Sequence, residues 1–171
     1  WNFLNTPIDT VGITSSDANA ILPSNAALVA GTQTFSVTLK TGGTRTVTAT
    51  DITDGLKTAN TSSSITVNAA AFAKLQLLVP VEVASPGGVS GKTGSLNTQI
   101  KGTAFNVTVN AVDAFWNVVN SVTDNVGITS SDVAATLPPN AALSAGTGTF
   151  SVTFNTAGTA TVTATDITDG G

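Results

Sequence analysis

The sequence predicts an all-β fold built from tandem antiparallel β-sandwiches, with seven strands in each complete module. Three observations predict it: an internal repeat, short segments in which apolar and polar residues alternate, and turn residues at intervals of about 8–12 positions. No segment shows the periodicity of an amphipathic helix. The fold class is therefore inferred from the internal repeat, the alternating segments and the turns.

The internal repeat aligns without a gap. Residues 1–56 match residues 116–171 at an offset of 115 positions, and 39 of the 56 pairs are identical. The heptapeptide VGITSSD stands at 11–17 and again at 126–132. Because common domains contain about 100–150 residues, one period is predicted to be one domain. The chain of 171 residues thus covers about one and a half periods.

The first copy contains several short predicted strands. Residues 34–39 and 44–50 alternate with a period of two, which places their apolar side chains on one face of a sheet. The Gly-containing turn between them predicts that the two segments form an antiparallel hairpin. The other elements predicted here are a strand at 11–15, an edge segment at 21–23, a loop at 25–29 and a closing strand at 64–67.

The second copy follows a boundary that we place near Ala69. Residues 1–68 are predicted to be the C-terminal part of one module without its first two strands, and residues 69–171 the following module without its last strand. We expect adjoining sequence to supply the missing strands, or else a neighbouring subunit. The strands predicted here are 72–80, 105–113 (the longest), 126–129, 149–154 and 159–165, with a polar loop at 84–103.

The composition excludes several function classes. A net charge of −4 with only six Lys and Arg makes no basic surface for nucleic acid. Cys and His are absent, so the chain offers neither thiolate nor imidazole chemistry. No apolar run approaches the roughly 18 residues of a membrane-spanning helix. Charged residues make up only 9% of the chain, and Thr, Ser and Asn take their place on the surface.

Catalysis is not expected. The repeated Ser-Ser-Asp triplet at 15–17 and 130–132 places Ser beside Asp, but no base is available to activate a nucleophile. An Asp in such a turn ordinarily accepts hydrogen bonds from its own backbone. We therefore predict no catalytic, cofactor-binding or metal-ligating residue, and a protein that is not an enzyme.

Calcium at module junctions is the cofactor that the sequence leaves open. Ca²⁺ takes about 6–8 oxygen ligands, which acidic pairs and carbonyls at strand ends could begin to supply. The dense Asp spacing of a dedicated calcium loop is missing, which favours solvated turns instead. The candidate residues are Asp51, Asp54, Asp113, Asp124, Asp166 and Asp169.

Two surface features allow alternative interpretations. Thr rows at 44–50 and 159–165 could form a flat array that orders water, although a charge-poor sheet would use Thr as a strand former anyway. Trp1 and Trp116, with Phe3 and Phe115 close by, could stack on a sugar or anchor a partner. We favour packing of these aromatic residues at the joint between modules.

Five segments of the second copy together resemble the bacterial immunoglobulin-like repeats. These modules stand in tandem in very large secreted or surface-anchored bacterial proteins, including invasin- and intimin-like adhesins. The turn DAFWN at 113–117 departs from the DANGN that such repeats often carry. The segments are 113–117, 128–132, 137–138, 148–153 and 158–164.

The resemblance implies an extracellular or cell-surface structural repeat that forms an elongated, adhesin-like stalk or fibre. Its expected partners are neighbouring copies of the same module, in cis or in a filament, and a surface glycan or host cell-surface molecule. Two alternatives remain open at this point. One is a self-assembling filament or sheath subunit completed by strand donation, and the other is a carbohydrate-binding accessory module.

Overall fold

The computed structural model describes residues 8–168, and these residues form strands, turns and bends without a helix. The predicted all-β class is confirmed, and every strand pairing is antiparallel. The strands are β1 (Thr10–Ser15), β2 (Ala26–Ala27), β3 (Gly43–Arg45), β4 (Val47–Asp51), β5 (Asn60–Thr61), β6 (Ile65–Val67), β7 (Lys74–Leu78), β8 (Val83–Ala84), β9 (Lys92–Thr93), β10 (Ala104–Val112), β11 (Asn125–Ser130), β12 (Ala141–Ala142), β13 (Thr147–Thr153) and β14 (Val162–Asp166).

The chain divides into two compact units, Trp1–Asn68 (unit 1) and Ala69–Gly171 (unit 2). Among residues 8–168 there is no helix with the length and apolarity needed to cross a membrane.

Unit 2 is a β-sandwich. One sheet has the strand order β13-β10-β7 and the other the order β12-β11-β14. The central strand β10 is the longest, as predicted, and its alternate side chains point into the core between the sheets. Burial of this apolar cluster is the main stabilising term of the unit. The cluster contains Phe105, Val107, Val109, Ala111, Val126, Ile128, Leu143, Phe150 and Val152.

Unit 1 repeats one layer of that sandwich. Its sheet β2-β1-β4-β5 pairs β1 with β4 from Val11↔Asp51 to Ser15↔Val47. Unit 2 pairs β11 with β14 in the register displaced by 115 residues, from Val126↔Asp166 to Ser130↔Val162. None of the buried apolar residues found in the described part of the chain belongs to unit 1. The equivalent side chains there, such as Phe35 and Val37, are half-buried.

The predicted hairpin of residues 34–39 with 44–50 is wrong. Residues 34–39 form no strand, and only Thr38 makes a bridge, to Ile21. The sequence TFSVT of 34–38 does form a strand at 149–153, because there β10 pairs with it. Strand formation at this sequence thus depends on a partner strand.

The predicted strand at 44–50 is also wrong as a single element. It divides into β3, which pairs with β6, and β4, which pairs with β1. The matching strand of unit 2 is shorter than predicted and pairs with β11 rather than with β13. The Gly-containing turn at 156–159 therefore carries the chain from one sheet to the other, whereas Gly43 and Thr44 are part of β3 itself. The Thr row at 44–50 is divided between β3 and β4, and only the second half of the row at 159–165 lies in a strand, β14.

Candidate functional site

The Ser-Ser-Asp turn of unit 1 is a structural clamp. Asp17 is buried, and its carboxylate accepts hydrogen bonds from the backbone N–H groups of Asn19 (3.0 Å), Lys40 (2.7 Å) and Thr41 (2.9 Å). The Thr41 hydroxyl donates a fourth, at 2.7 Å. These bonds fasten the turn after β1 to the distant segment 40–41. The Asp17 carboxylate is thus fully occupied by three backbone N–H groups and one hydroxyl.

Unit 2 builds the same clamp. Asp132 accepts from the backbone N–H groups of Ala134 (3.0 Å), Asn155 (2.8 Å) and Thr156 (3.0 Å). In both copies the middle Ser also accepts a backbone N–H, from Thr46 in unit 1 and from Thr161 in unit 2. Two identical sets of bonds on repeated sequence indicate that the triplet fixes the fold.

The clamps lower the pKa of their carboxyl groups. Burial alone would raise the pKa of Asp17, but the bonds from Thr41, Asn19 and Lys40 outweigh it and lower the pKa to about 2. In Asp132 the same opposition leaves the pKa below its ordinary value, because the bonds from Thr156, Ala134 and Asn155 prevail over burial. Each carboxylate is therefore stabilised in its charged form.

These shifts predict that the protein loses stability in acid. A carboxyl with a lowered pKa in the folded state contributes stability that is present above its unfolded pKa, about 3.9, and is lost as pH falls through the folded value. We expect the free energy of unfolding to change little between pH 7 and about 5 and to fall between about 4 and 2. Urea unfolding at pH 7, 5 and 2.5 measures this, and a rise in stability on acidification would contradict it.

A third buried carboxylate, Asp113, organises the turn at 113–117. Asp113 is 1% exposed. Its oxygens accept the backbone N–H groups of Phe115 (2.8 Å), Asn117 (3.0 Å) and Ala70 (3.0 Å), and the Asn117 side chain adds a bond at 2.9 Å. The bond to Ala70 ties the first residues of unit 2 to this turn. Burial would raise the pKa of Asp113, but these bonds lower it below its usual value.

Trp116 follows Asp113 in a left-handed conformation, with φ of 69°. Its ring packs on Gly91, where a Cβ atom would collide with the indole, and the Lys74 ammonium lies 3.5 Å from the ring centroid. Lys74 also donates to the carbonyl of Ala114 at 3.2 Å. Within unit 2 the Trp116 ring therefore contacts the backbone of Gly91 and the ammonium group of Lys74. The neighbouring Phe115 side chain is 38% exposed. Trp1 and Phe3 lie outside the described residues.

Several of the candidate calcium ligands have other partners in the described part of the chain. Within residues 8–168 no group of three or more acidic side chains is placed to hold a metal ion. Asp51 and Asp166 each accept a nearby backbone N–H, and Asp54 pairs with Lys57 at 2.7 Å. The Asp113 oxygens are occupied as described, and Asp169 lies outside the described residues.

The sequence analysis missed a polar ladder across one sheet of unit 2, in which Gln76 and Asn110 are buried and Thr147 is exposed. The Thr147 hydroxyl donates to Asn110 (2.7 Å), Asn110 donates to Gln76 (2.9 Å), and Gln76 donates to the carbonyl of Gly91 (2.8 Å). The ladder links β13, β10 and β7, and it fixes their register because each member needs the next. Its signal in the sequence is Gln76, the one polar residue in the apolar run 75–79.

Comparison with known proteins shows no family for this chain, since no family model and no curated protein sequence matches it. Among solved structures it is similar to a β-glucuronidase from Parabacteroides merdae, at 13% identity and a TM-score of 0.42. A glycosyl hydrolase family 2 member from Bacteroides cellulosilyticus matches at 14% identity with the same TM-score. In both matches the similarity covers 94% of this chain but only 20% of the glycosidase chain. This chain therefore spans about a fifth of the length of those proteins.

Proposed function

We propose that this protein is a structural repeat of immunoglobulin-like modules that forms an elongated, adhesin-like stalk or fibre of a bacterial surface or secreted protein. The observation that carries the proposal is the duplication of one β-sheet. The β1–β4 register, the Asp17 clamp and the φ values of Ala30 and Gly31 all recur 115 residues later. A module repeated with such fidelity is suited to adding length in equal steps.

A role without catalysis is supported by how the polar side chains are used. The three buried carboxylates, Asp17, Asp113 and Asp132, accept hydrogen bonds from backbone groups that hold turns in place. The Ser residues beside Asp17 and Asp132 bond to the backbone as well. An extracellular stalk also suits a surface with few charges, because it has few ion pairs for salt to screen.

Chains with different numbers of repeats test the stalk. The present chain is extended by one, two and three further 115-residue periods, and the maximum dimension is measured by small-angle X-ray scattering. We expect each period to add a constant increment on the order of 40 Å, the length of a strand of about eight residues with its loops and linker. A radius of gyration that grows only as that of a compact globule would overturn the proposal.

A filament or sheath completed by strand donation is the second candidate, because unit 2 has free strand edges in its described part. β7 pairs with β10 and β14 pairs with β11, and in the described residues neither strand has a second strand on its other edge. Side chains bond part of the β7 edge, since Lys92 donates to the carbonyl of Leu77 and Glu82 accepts the N–H of Val79. Sedimentation of the unmodified chain separates the two candidates. A stalk module stays monomeric as its concentration increases, whereas a filament subunit gives progressively larger species.

A further inference from the structure

A seam runs between β7 and β14, which are edge strands of the two sheets of unit 2 in the described part of the chain. Three cavities of about 560, 250 and 360 Å³ follow one another along it. Its two long sides are residues 72–79, in and around β7, and residues 160–166, in and before β14. At the Val79 end the lining also includes Glu82, Lys92 and residues 96–99. The seam is therefore as long as a short β-strand.

The seam is lined by half-buried apolar side chains together with the charged residues Lys74, Glu82, Lys92 and Asp166. The apolar side chains pack against the core from one side and remain partly accessible from the other. Backbone groups along an unpaired edge and apolar atoms beside them both gain from an added strand. The wall residues are Phe72, Leu75, Leu77 and Val79 on one side and Val162 and Ala164 on the other.

Unit 1 shows which segment occupies the corresponding edge. β4 is the copy of β14, and its outer edge carries β5 through the pairs Thr48↔Thr61 and Ala49↔Asn60. The N–H of Ser62 continues this contact by donating to the carbonyl of Val47 at 2.8 Å.

The same segment continues beyond β4. β6 pairs with β3, from Gly43↔Val67 to Arg45↔Ile65. The copy of β3 in unit 2 is residues 158–160, directly before the seam. Residues 60–67 thus follow, in unit 1, the whole path that is vacant along 158–166 in unit 2.

We propose that the seam of unit 2 is an acceptor site for a β-strand with the sequence of residues 57–68, KTANTSSSITVN, supplied by another copy of the repeat. The strand lies antiparallel to β14 and pairs with Thr163 and Ala164 as Thr61 and Asn60 pair in unit 1. Its Ile-Thr-Val end lies along 158–160. This is recognition by strand addition, in which main-chain bonds give affinity and alternate side chains give specificity. The inference rests on the repeat and not on the stalk.

A labelled peptide tests the site in trans. A fluorescent KTANTSSSITVN peptide is titrated with the full chain, and binding is followed by anisotropy. The matched control carries aspartate at the positions of Ile65 and Val67, which keeps the backbone donors but places charge against the apolar wall. We expect saturable binding of the first peptide and a loss of at least about tenfold in affinity for the control.

A chain extended in cis shows where the peptide binds. Residue 171 corresponds to residue 56, so adding KTANTSSSITVN after Gly171 reproduces the spacing of unit 1. We expect the extension to slow amide exchange at Val162 and Ala164 at least about tenfold and to abolish peptide binding in trans. Protection in cis without binding in trans would overturn donation by another copy, because the strand would then lie in the seam only when it is covalently linked to the same copy.

Two further results would overturn the inference. One is unchanged amide exchange at Val162 and Ala164 in the extended chain, which means that the strand does not lie in the seam. The other is peptide binding of equal affinity to the extended and the original chain, which places the peptide elsewhere. Neither result depends on the scattering of multi-repeat chains, so the failure of this inference and that of the stalk remain distinct.

Discussion

Replacing Phe150 by alanine is expected to cost unit 2 about 3–5 kcal/mol of its free energy of unfolding. Phe150 is 4% exposed and belongs to the cluster between the two sheets. Truncation removes the transfer energy of the ring and leaves a cavity that close-packed neighbours such as Val107, its partner in β10, fill only in part. Such a loss is a large fraction of the 5–15 kcal/mol typical of a whole domain.

The repeat supplies a matched control for this substitution. Phe35 occupies the same place in the same sequence, TFSVT, but it is half-buried and its segment forms no strand. Phe35→Ala is expected to cost less than about 1 kcal/mol, because little packing is lost. Amide hydrogen exchange in increasing urea, followed at Ile13 in unit 1 and at Ile128 in unit 2, measures each variant in the unit that carries it. Equal losses would mean that the two copies share one environment, contrary to the structure.

Phe150 and Phe35 also show what the sequence can and cannot predict. Alternation identified β10 and β13 correctly, because their inward side chains, such as Val107 and Val152, face a continuous core. The same alternation at 34–38 predicted a strand that is not formed. Periodicity reports which face of a segment is apolar, whereas the partner that completes its hydrogen bonds lies far away in the sequence.

The sequence also failed to predict which strands pair with β13 and β14. A Gly-containing turn between two alternating segments predicts a hairpin, yet β13 and β14 belong to different sheets. Local turn chemistry cannot distinguish a hairpin from a crossover, since both need a residue that tolerates a positive φ, such as Gly158 at 136°. The sheet that a strand joins depends on the strands that pair with it, and the sequence of the turn carries no information about those strands.

The buried carboxylates mark a similar limit for the candidate site. The Ser-Ser-Asp triplet predicted a turn, and the local bond from Asn19 to Asp17 is the bond expected of such a turn. The bonds from residues 40 and 41 join elements more than twenty positions apart and leave no local signal. Asp113 was weighed as a calcium ligand because it is acidic and lies near a module end. Its actual partners are three backbone amides and one side-chain amide.

Replacing Asp113 by alanine is therefore expected to destabilise unit 2 by about 2–4 kcal/mol. The substitution leaves the N–H groups of Ala70, Phe115 and Asn117 without their acceptor, and each buried unsatisfied donor costs about 1–3 kcal/mol before water re-enters. The bond to Ala70 holds the start of unit 2, so amide exchange at Ala70 and Ala73 is expected to accelerate. Urea unfolding and amide exchange on the full chain measure both effects.

Two further variants identify the cause of that loss. Asp113→Asn keeps the shape but turns an NH₂ group towards backbone donors, so we expect it to recover little of the stability. Asp166→Ala is the control, because Asp166 is half-buried and accepts a single backbone bond, from Thr168 at 2.9 Å. If Asp113→Asn were as stable as the unmodified chain, the carboxylate charge would not matter to the turn. If Asp166→Ala were as damaging as Asp113→Ala, the loss would reflect acidic residues in general, and the convergence of donors on Asp113 would not be its cause.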